Sequence, residues 1–200
     1  MSAPSLNVLA VAGSLNRASA TRAVINLIAE QLTAAGARVD VLDLVEEPLG
    51  LFNPDSSHAH ENFPKLRQRV ERADVYLLGT PDYHGSMSGA TKNFLDHFWP
   101  EFAGKLFATV IASFEKGLTV TDQLRTVARQ CYAWSMPYGV SFVDKTDVQD
   151  GKIVSDAFRQ RVEMFARDVR VYGELIARQR HADLAGSDPG FLAKHRKQQR

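Results

Sequence analysis

Three short segments of this 200-residue chain combine side chains and backbone suited to binding chemistry. The first is Gly13-Ser14-Leu15-Asn16-Arg17-Ala18-Ser19-Ala20-Thr21. It closes an apolar run and opens onto a helical pattern, so orphan N–H groups and a positive dipole end await an anion there. Ser14, Asn16, Ser19 and Thr21 add hydrogen-bonding groups, and Arg17 adds a guanidinium. No Gly-Lys-Ser/Thr closes the segment, which argues against a nucleoside triphosphate and for a single terminal phosphate. The competing reading is a polar turn in which Ser19 only caps the helix. The second segment is Gly79-Thr80-Pro81-Asp82-Tyr83-His84-Gly85-Ser86-Met87-Ser88-Gly89. Pro81 removes a donor and fixes φ, while Gly85 and Gly89 let the backbone approach a flat ligand. Tyr83 offers an aromatic face beside exposed N–H groups, surfaces that suit planar heterocycles with polar edges. Met87 stands where a nucleophile elbow needs serine, so hydrolase chemistry loses its main support. The bland alternative is an ordinary loop with Tyr83 half-buried.

The elements that must position these segments alternate strand and helix. Leu6–Ala12, Asp74–Thr80 and Lys105–Ser113 are short apolar runs of the kind buried on both faces of a parallel sheet. Pro81 is expected to end the second of them. Arg38–Leu44 alternates like a strand nearer the edge, and Tyr138–Val143 alternates as a final strand. Helical stripes cover Val24–Ala35, Lys65–Arg72, Gly89–Trp99 and Thr119–Tyr132. The last helix carries a seam of Phe158, Val162, Phe165, Val169, Tyr172 and Ile176 behind the N-cap Ser155. That seam is expected to lie on the sheet, with a subunit interface as the alternative. Five strands alternating with helices, and no GxGxxG after the first, indicate a three-layer α/β/α sheet in the flavodoxin-like order 2-1-3-4-5. Ligands then sit outside the carboxyl ends of strands 1, 3 and 4, which adds Ser113-Phe114-Glu115-Lys116-Gly117 as the third segment.

Composition narrows the function classes. Hydrophobic residues at 44% and charged residues at 24% are those of a globular domain. A net charge of +1 leaves no whole-chain footprint for nucleic acid or an anionic membrane. Cys131 is the only cysteine, which excludes an internal disulfide and suits a reducing compartment. No apolar run approaches the ~20 residues of a bilayer span, and no basic residue precedes Arg17 as a signal peptide would require. A cytoplasmic protein is expected. His58 and His60, with Asp55 and Glu61, lack a third strong ligand at metal-binding spacing, so no metal is assigned. Residues 1–177 read as one domain, and 178–200 as a basic mobile arm with six basic and two acidic residues.

GSLNRAS and GTPDYHGSMSGATKNFLD resemble the NADPH-dependent FMN reductase family of flavodoxin-like enzymes, whose relatives reduce azobenzenes, quinones and chromate. The likeness spans roughly residues 6–176. It implies FMN as cofactor and NADPH or NADH as electron donor. Ser14, Asn16, Arg17, Ser19 and Thr21 would hold the FMN phosphate, and Pro81, Asp82, Tyr83 and His84 would line its ring. Position 82 is more often Glu and position 84 often Asn in that pattern. The third segment departs further, because relatives carry glycines there and only Ser113 and Gly117 match; Phe114 is expected to reshape or cover that side of the flavin. The implied function is an FMN-containing oxidoreductase passing electrons from NAD(P)H to a small acceptor: free flavin, a quinone, an azo compound or a metal oxyanion. A flavodoxin-type electron carrier is the alternative, though a body near −3 gives its partners poor steering. No acid–base constellation stands out, as expected where the cofactor supplies the reactive atom. The apolar face of the Gly89–Trp99 helix, ending in Phe98-Trp99, points to a homodimer or homotetramer. The long connection Val45–Asn62 is expected to reach a neighbouring subunit's site.

Overall fold

The computed structural model describes residues 5–59, 61–187 and 190–192. Its strands are β1 (Asn7–Ala12), β2 (Arg38–Asp43), β3 (Val75–Tyr83), β4 (Ser86–Met87), β5 (Leu106–Ala112), β6 (Trp134–Ser135), β7 (Val140–Phe142), β8 (Val148–Gln149) and β9 (Lys152–Ile153). Its helices are α1 (Ala20–Ala34), α2 (Phe63–Arg72), α3 (Gly89–Asp96), α4 (Leu118–Gln130) and α5 (Asp156–Ala185). The sheet runs β2-β1-β3-β5, with β6 and β7 both pairing in parallel on the far side of β5. Register is fixed by pairs such as Val8↔Val39, Val8↔Val75 and Leu77↔Ala108. This is the flavodoxin-like order with its fifth strand divided in two.

Strand alternation sorts the core into two layers. Val8, Ala10 and Ala12 of β1, with Val75 and Leu77 of β3, join the layer formed with α1 and α5. Leu9, Val11, Tyr76 and Leu78 join the layer formed with α2, α3 and α4. Period-two side chains on strands buried on both faces produce that partition. The seam on α5 lies against the sheet, with Phe158, Val162, Phe165 and Val169 all buried; Tyr172 turns outward and Gly173 replaces it at the contact. A Cβ on Gly173 would come within 2.8 Å of Val75 Cγ2, so the bare helix backbone rests directly on the Val75 side chain there. No helix among the described residues is long and apolar enough to cross a membrane.

The sequence reading needs correction at several points. Pro81 does not end β3: it pairs in register with Ala112 of β5, and the strand continues to Tyr83 paired with β4. β1 has already stopped opposite Gly79, so on that side the donor Pro81 lacks has no partner strand to miss. The final strand is shorter than 138–143, and Pro137 separates it from β6. α3 ends at Asp96, because Pro100 follows and disfavours helical backbone before it. Its apolar face is not a free patch: Phe94, Leu95 and Phe98 are buried in this chain's own core, leaving Trp99 exposed. α5 runs to Ala185, so the helix passes well beyond residue 177, where the mobile arm was expected to begin. Phe191 then packs edge-on against Tyr132 at 5.1 Å. The basic cluster at 194–200 lies outside the described residues.

Candidate functional site

The first segment is built by one arginine that its motif did not name. Arg22, in the first turn of α1, reaches back under the loop and donates to the carbonyls of Asn16 (2.9 Å), Arg17 (2.8 Å) and Ser14 (3.3 Å). Its Nε and Nη2 also hold both carboxylate oxygens of Asp43, at the end of β2. Burial works against the Asp43 charge; the Arg22 contacts and the N–H of Val45 outweigh it and hold the carboxyl below its ordinary range. Since C=O and N–H point in opposite directions across a trans peptide, carbonyls drawn down to Arg22 turn the N–H groups of Leu15 and Arg17 the other way. Those two N–H groups, with Ala20 and Thr21 at the start of α1, find no acceptor among the described residues. The result is an upward-facing nest of donors at a helix N-terminus.

The side chains around that nest divide into two groups. Ser14 is buried and its Oγ accepts from Asn16 N (3.3 Å); Ser19 Oγ caps α1 through Arg22 N. Thr21 is only 1% exposed and packs toward Gly79. Asn16 closes a local turn by accepting from Ala18 N at 3.0 Å. Arg17 stands out into solvent, paired with Glu46 at 3.2 Å. A cleft of ≈ 610 Å³ flanks the loop between Arg17, Ser19 and Arg22 on one side and Lys145 and Gly151 on the other.

The second segment is a β3–β4 hairpin. His84 (φ 58°) and Gly85 (φ 75°) are both left-handed, as a two-residue type I′ turn between paired Tyr83 and Ser86 requires. Asp82 Oδ1 accepts from Gly85 N at 2.8 Å and secures the turn from inside. Gln123 of α4, which sequence reasoning missed, grips the tip by accepting from Ser86 Oγ (3.1 Å) and Met87 N (3.2 Å). At the hairpin base, Ser88 Oγ donates to the Gly13 carbonyl at 2.6 Å and caps α3 through Thr91 N. Gly13 N in turn donates to the Gly79 carbonyl, so the first and second segments are one hydrogen-bonded body. Ser113 joins the third, donating to Asp82 Oδ2 at 2.8 Å.

Six of the ten expected site residues, Ser14, Asn16, Arg17, Ser19, His84 and Ser113, thus sit on loops and turns beyond the carboxyl ends of β1, β3 and β5; Pro81, Asp82 and Tyr83 are the last three residues of β3, and Thr21 lies beneath them in α1. Tyr83 and His84 are exposed, whereas Ser14, Pro81 and Ser113 are buried and support the backbone. The connection after β2 folds onto its own chain: Asn93 holds Phe52 N (2.8 Å) and the Gly50 carbonyl (2.9 Å). A hollow of ≈ 730 Å³ lies beneath that connection and is lined by none of the three loops. His58 stacks on Phe63 at 4.7 Å, and His60 lies outside the described residues. Cys131 is packed at the end of α4, where burial pushes its thiol up to about 11.

Known proteins place this geometry. The family described as NADPH-dependent FMN reductase matches residues 6–147. An NADPH azoreductase of Bacillus sp. (strain OY1-2) is 32% identical over 156 residues, 76% of this chain and 84% of that protein. An FMN-dependent NADPH-azoreductase of Staphylococcus haemolyticus is 27% identical over 173 residues, 80% of this chain and 92% of its own length. Among solved structures, the NAD(P)H:(acceptor) oxidoreductase FerB of Paracoccus denitrificans superposes with a TM-score of 0.67 at 20% identity, covering 85% of this chain and 98% of that one. That last likeness concerns the fold. With the matched stretch containing all three loops, the chain belongs to the NADPH-dependent FMN reductase family.

Proposed function

We infer that the three-loop face holds FMN and that the chain passes electrons from NAD(P)H to a small acceptor such as free flavin, a quinone, an azo compound or a metal oxyanion. The observation that carries this reading is the Arg22-clamped loop. By drawing three carbonyls down it leaves N–H donors and the exposed Arg17 guanidinium facing one anion at a helix N-terminus. This donor set suits a terminal phosphate monoester. Asn16 and Arg17 would meet it directly, while Ser14, Ser19 and Thr21 shape the loop. Tyr83, His84 and the backbone they carry would line the ring, with Pro81, Asp82 and Ser113 holding that backbone still. Bound FMN supplies a ring that takes hydride from a nicotinamide and yields its electrons to an acceptor.

No side chain is assigned as a catalytic acid or base, and no metal-binding site is assigned. The working unit is proposed to be a homodimer or homotetramer in the cytoplasm. It is supported not by α3 but by the exposed Leu15 and Leu51, which share one open apolar hollow with Pro48 and Leu49 beside the fastened connection. Light scattering of wild type and Leu51→Asp should show the assembly and its loss.

The test of function is direct. Purified protein mixed with FMN should retain it through gel filtration and oxidise NADPH when a quinone is added. An electron carrier would bind FMN and leave NADPH untouched. Arg17→Ala should weaken FMN by about 1–3 kcal/mol, the value of a charge-assisted hydrogen bond. Equal affinity in that variant would remove Arg17 from the phosphate site.

A further inference from the structure

The third loop presents a side chain that the site so far leaves without a task. Phe114 is 87% exposed and makes no ring contact among the described residues. It is nonetheless mounted on a tightly fixed turn. Ser113 N donates to the Phe142 carbonyl at 2.9 Å, Ser113 Oγ accepts from Glu115 N at 3.1 Å, and Gly117 N closes the turn on the Glu115 carbonyl. Gly117 itself must be glycine: it is left-handed (φ 61°), and a Cβ there would meet Ile111 Cγ2 at 2.7 Å.

The neighbour of Phe114 is equally informative. β3 and β5 run in register to Pro81↔Ala112, and the next residue of each chain, Asp82 and Ser113, is joined side chain to side chain at 2.8 Å. One residue further along stand Tyr83, 53% exposed, and Phe114. Tyr83, the last residue of β3, and Phe114, in the loop after β5, each follow directly on the joined pair Asp82 and Ser113, without ring contact between them. Leu118, at the start of α4, is also exposed and extends the apolar edge. Scattered surface hydrophobics need no explanation, but two exposed aromatic residues that each follow a hydrogen-bonded anchor at the border of a ligand face do.

Resting on the reading of this face as the FMN site, we propose that Phe114 is the specificity-determining residue for the acceptor. Its ring forms the wall against which a flat aromatic acceptor stacks, while Tyr83 stays with the flavin. Small inorganic acceptors have no ring to offer and gain nothing from it. The wall is a rigid one, because the loop hydrogen bonds fix its backbone before any ligand arrives. Stacking without hydrogen-bond readout recognises flatness rather than a particular substituent pattern.

The test uses the FMN-loaded protein without reductant, so that no dye is consumed. Methyl red binding is measured by equilibrium dialysis in wild type, Phe114→Gly and Phe114→Trp, and FMN affinity is measured in parallel by flavin fluorescence. Expected is a roughly tenfold weaker methyl red affinity in Phe114→Gly, recovery in Phe114→Trp, and equal FMN affinity in all three. Under turnover, the ratio of kcat/KM for methyl red to that for ferricyanide should fall by a similar factor in the glycine variant. Equal methyl red affinity in wild type and Phe114→Gly overturns the proposal. So does a parallel loss of FMN, which would place the phenyl ring on the flavin instead. A wild-type protein that fails to hold FMN at all would instead overturn the functional reading beneath it.

Discussion

At the scale of single residues, Gly13 is where the first two loops come closest. A Cβ at this position would lie 1.9 Å from Thr91 Oγ1 and 2.6 Å from the Gly79 carbonyl oxygen, and a backbone oxygen cannot rotate aside. Gly13→Ala should therefore push the first loop off β3, costing about 1–3 kcal/mol by overpacking. The expected result is a lower Tm together with weaker FMN binding in a flavin titration; unchanged affinity would separate the loop from the site. The chemistry-bearing types at Asn16, Arg17 and Tyr83 were legible because they sit inside contiguous motifs. Arg22 was not, although it left one signal: a cation in the first turn of a helix opposes the macrodipole and needs an anion to justify it. Asp43 is that anion, and its position, 21 residues along the chain, could not be read from the sequence. Its depressed pKa makes a pH prediction. A carboxyl with a folded value below 3.8 stabilises the protein above that pH and loses the effect as pH falls through the folded value. Urea unfolding should show Asp43→Asn less stable than wild type by about 1–3 kcal/mol near pH 7, the gap narrowing only below about pH 4. A gap that is constant down to pH 3 would refute the linkage.

Among elements, the β3–β4 hairpin shows what a linear reading resolves poorly. Glycines and a proline mark the segment as a loop, and they do mark a turn. Pairing is set elsewhere: β5 carries β3 up to Pro81, β4 carries it on to Tyr83, and Gln123, 36 residues from Met87, fastens the tip. The same effect divided the last strand and consumed the apolar face of α3, whose exposure depends on what packs against it. Periodicity located α1 to α5 because an apolar stripe is a local property; its partner is not. The hairpin turn is also energetically imperfect. His84 occupies a left-handed position that costs a non-glycine residue free energy, and asparagine bears it better. His84→Asn should raise stability by a few tenths of a kcal/mol, up to about 1, visible as a higher urea midpoint at unchanged slope. Destabilisation would mean that the imidazole makes a contact worth more than the strain.

On the scale of the whole molecule, the FMN face and the opposite end of the sheet are built by different means. The carboxyl ends of the strands leave donors and aromatic rings open. The amino ends are closed by α5, which continues past the point where its apolar seam fades. Beyond Ile176 the reading lost the helix because hydrophobic periodicity stops there. What continues it is polar: Asp74, 3% exposed at the side chain, receives His181 Nε2 at 3.1 Å and Arg180 at 3.6 Å. The main-chain N–H and Nδ2 of Asn7 donate to its other oxygen, both at 3.1 Å. A buried carboxylate of this kind is stable only with its partners present, and removing them costs about 3 kcal/mol. Ending the chain after residue 177 should therefore lower Tm by roughly 6–12 °C. The double variant Arg180→Ala/His181→Ala should give most of that loss in a chain of full length. Because Asp74 stands at the end of β3 remote from Tyr83, FMN affinity measured well below the transition should not change in the double variant. A full-length double variant that melts with wild type would show that α5 is held by its apolar seam alone and that the hydrogen bonds from Asn7 are enough to satisfy Asp74.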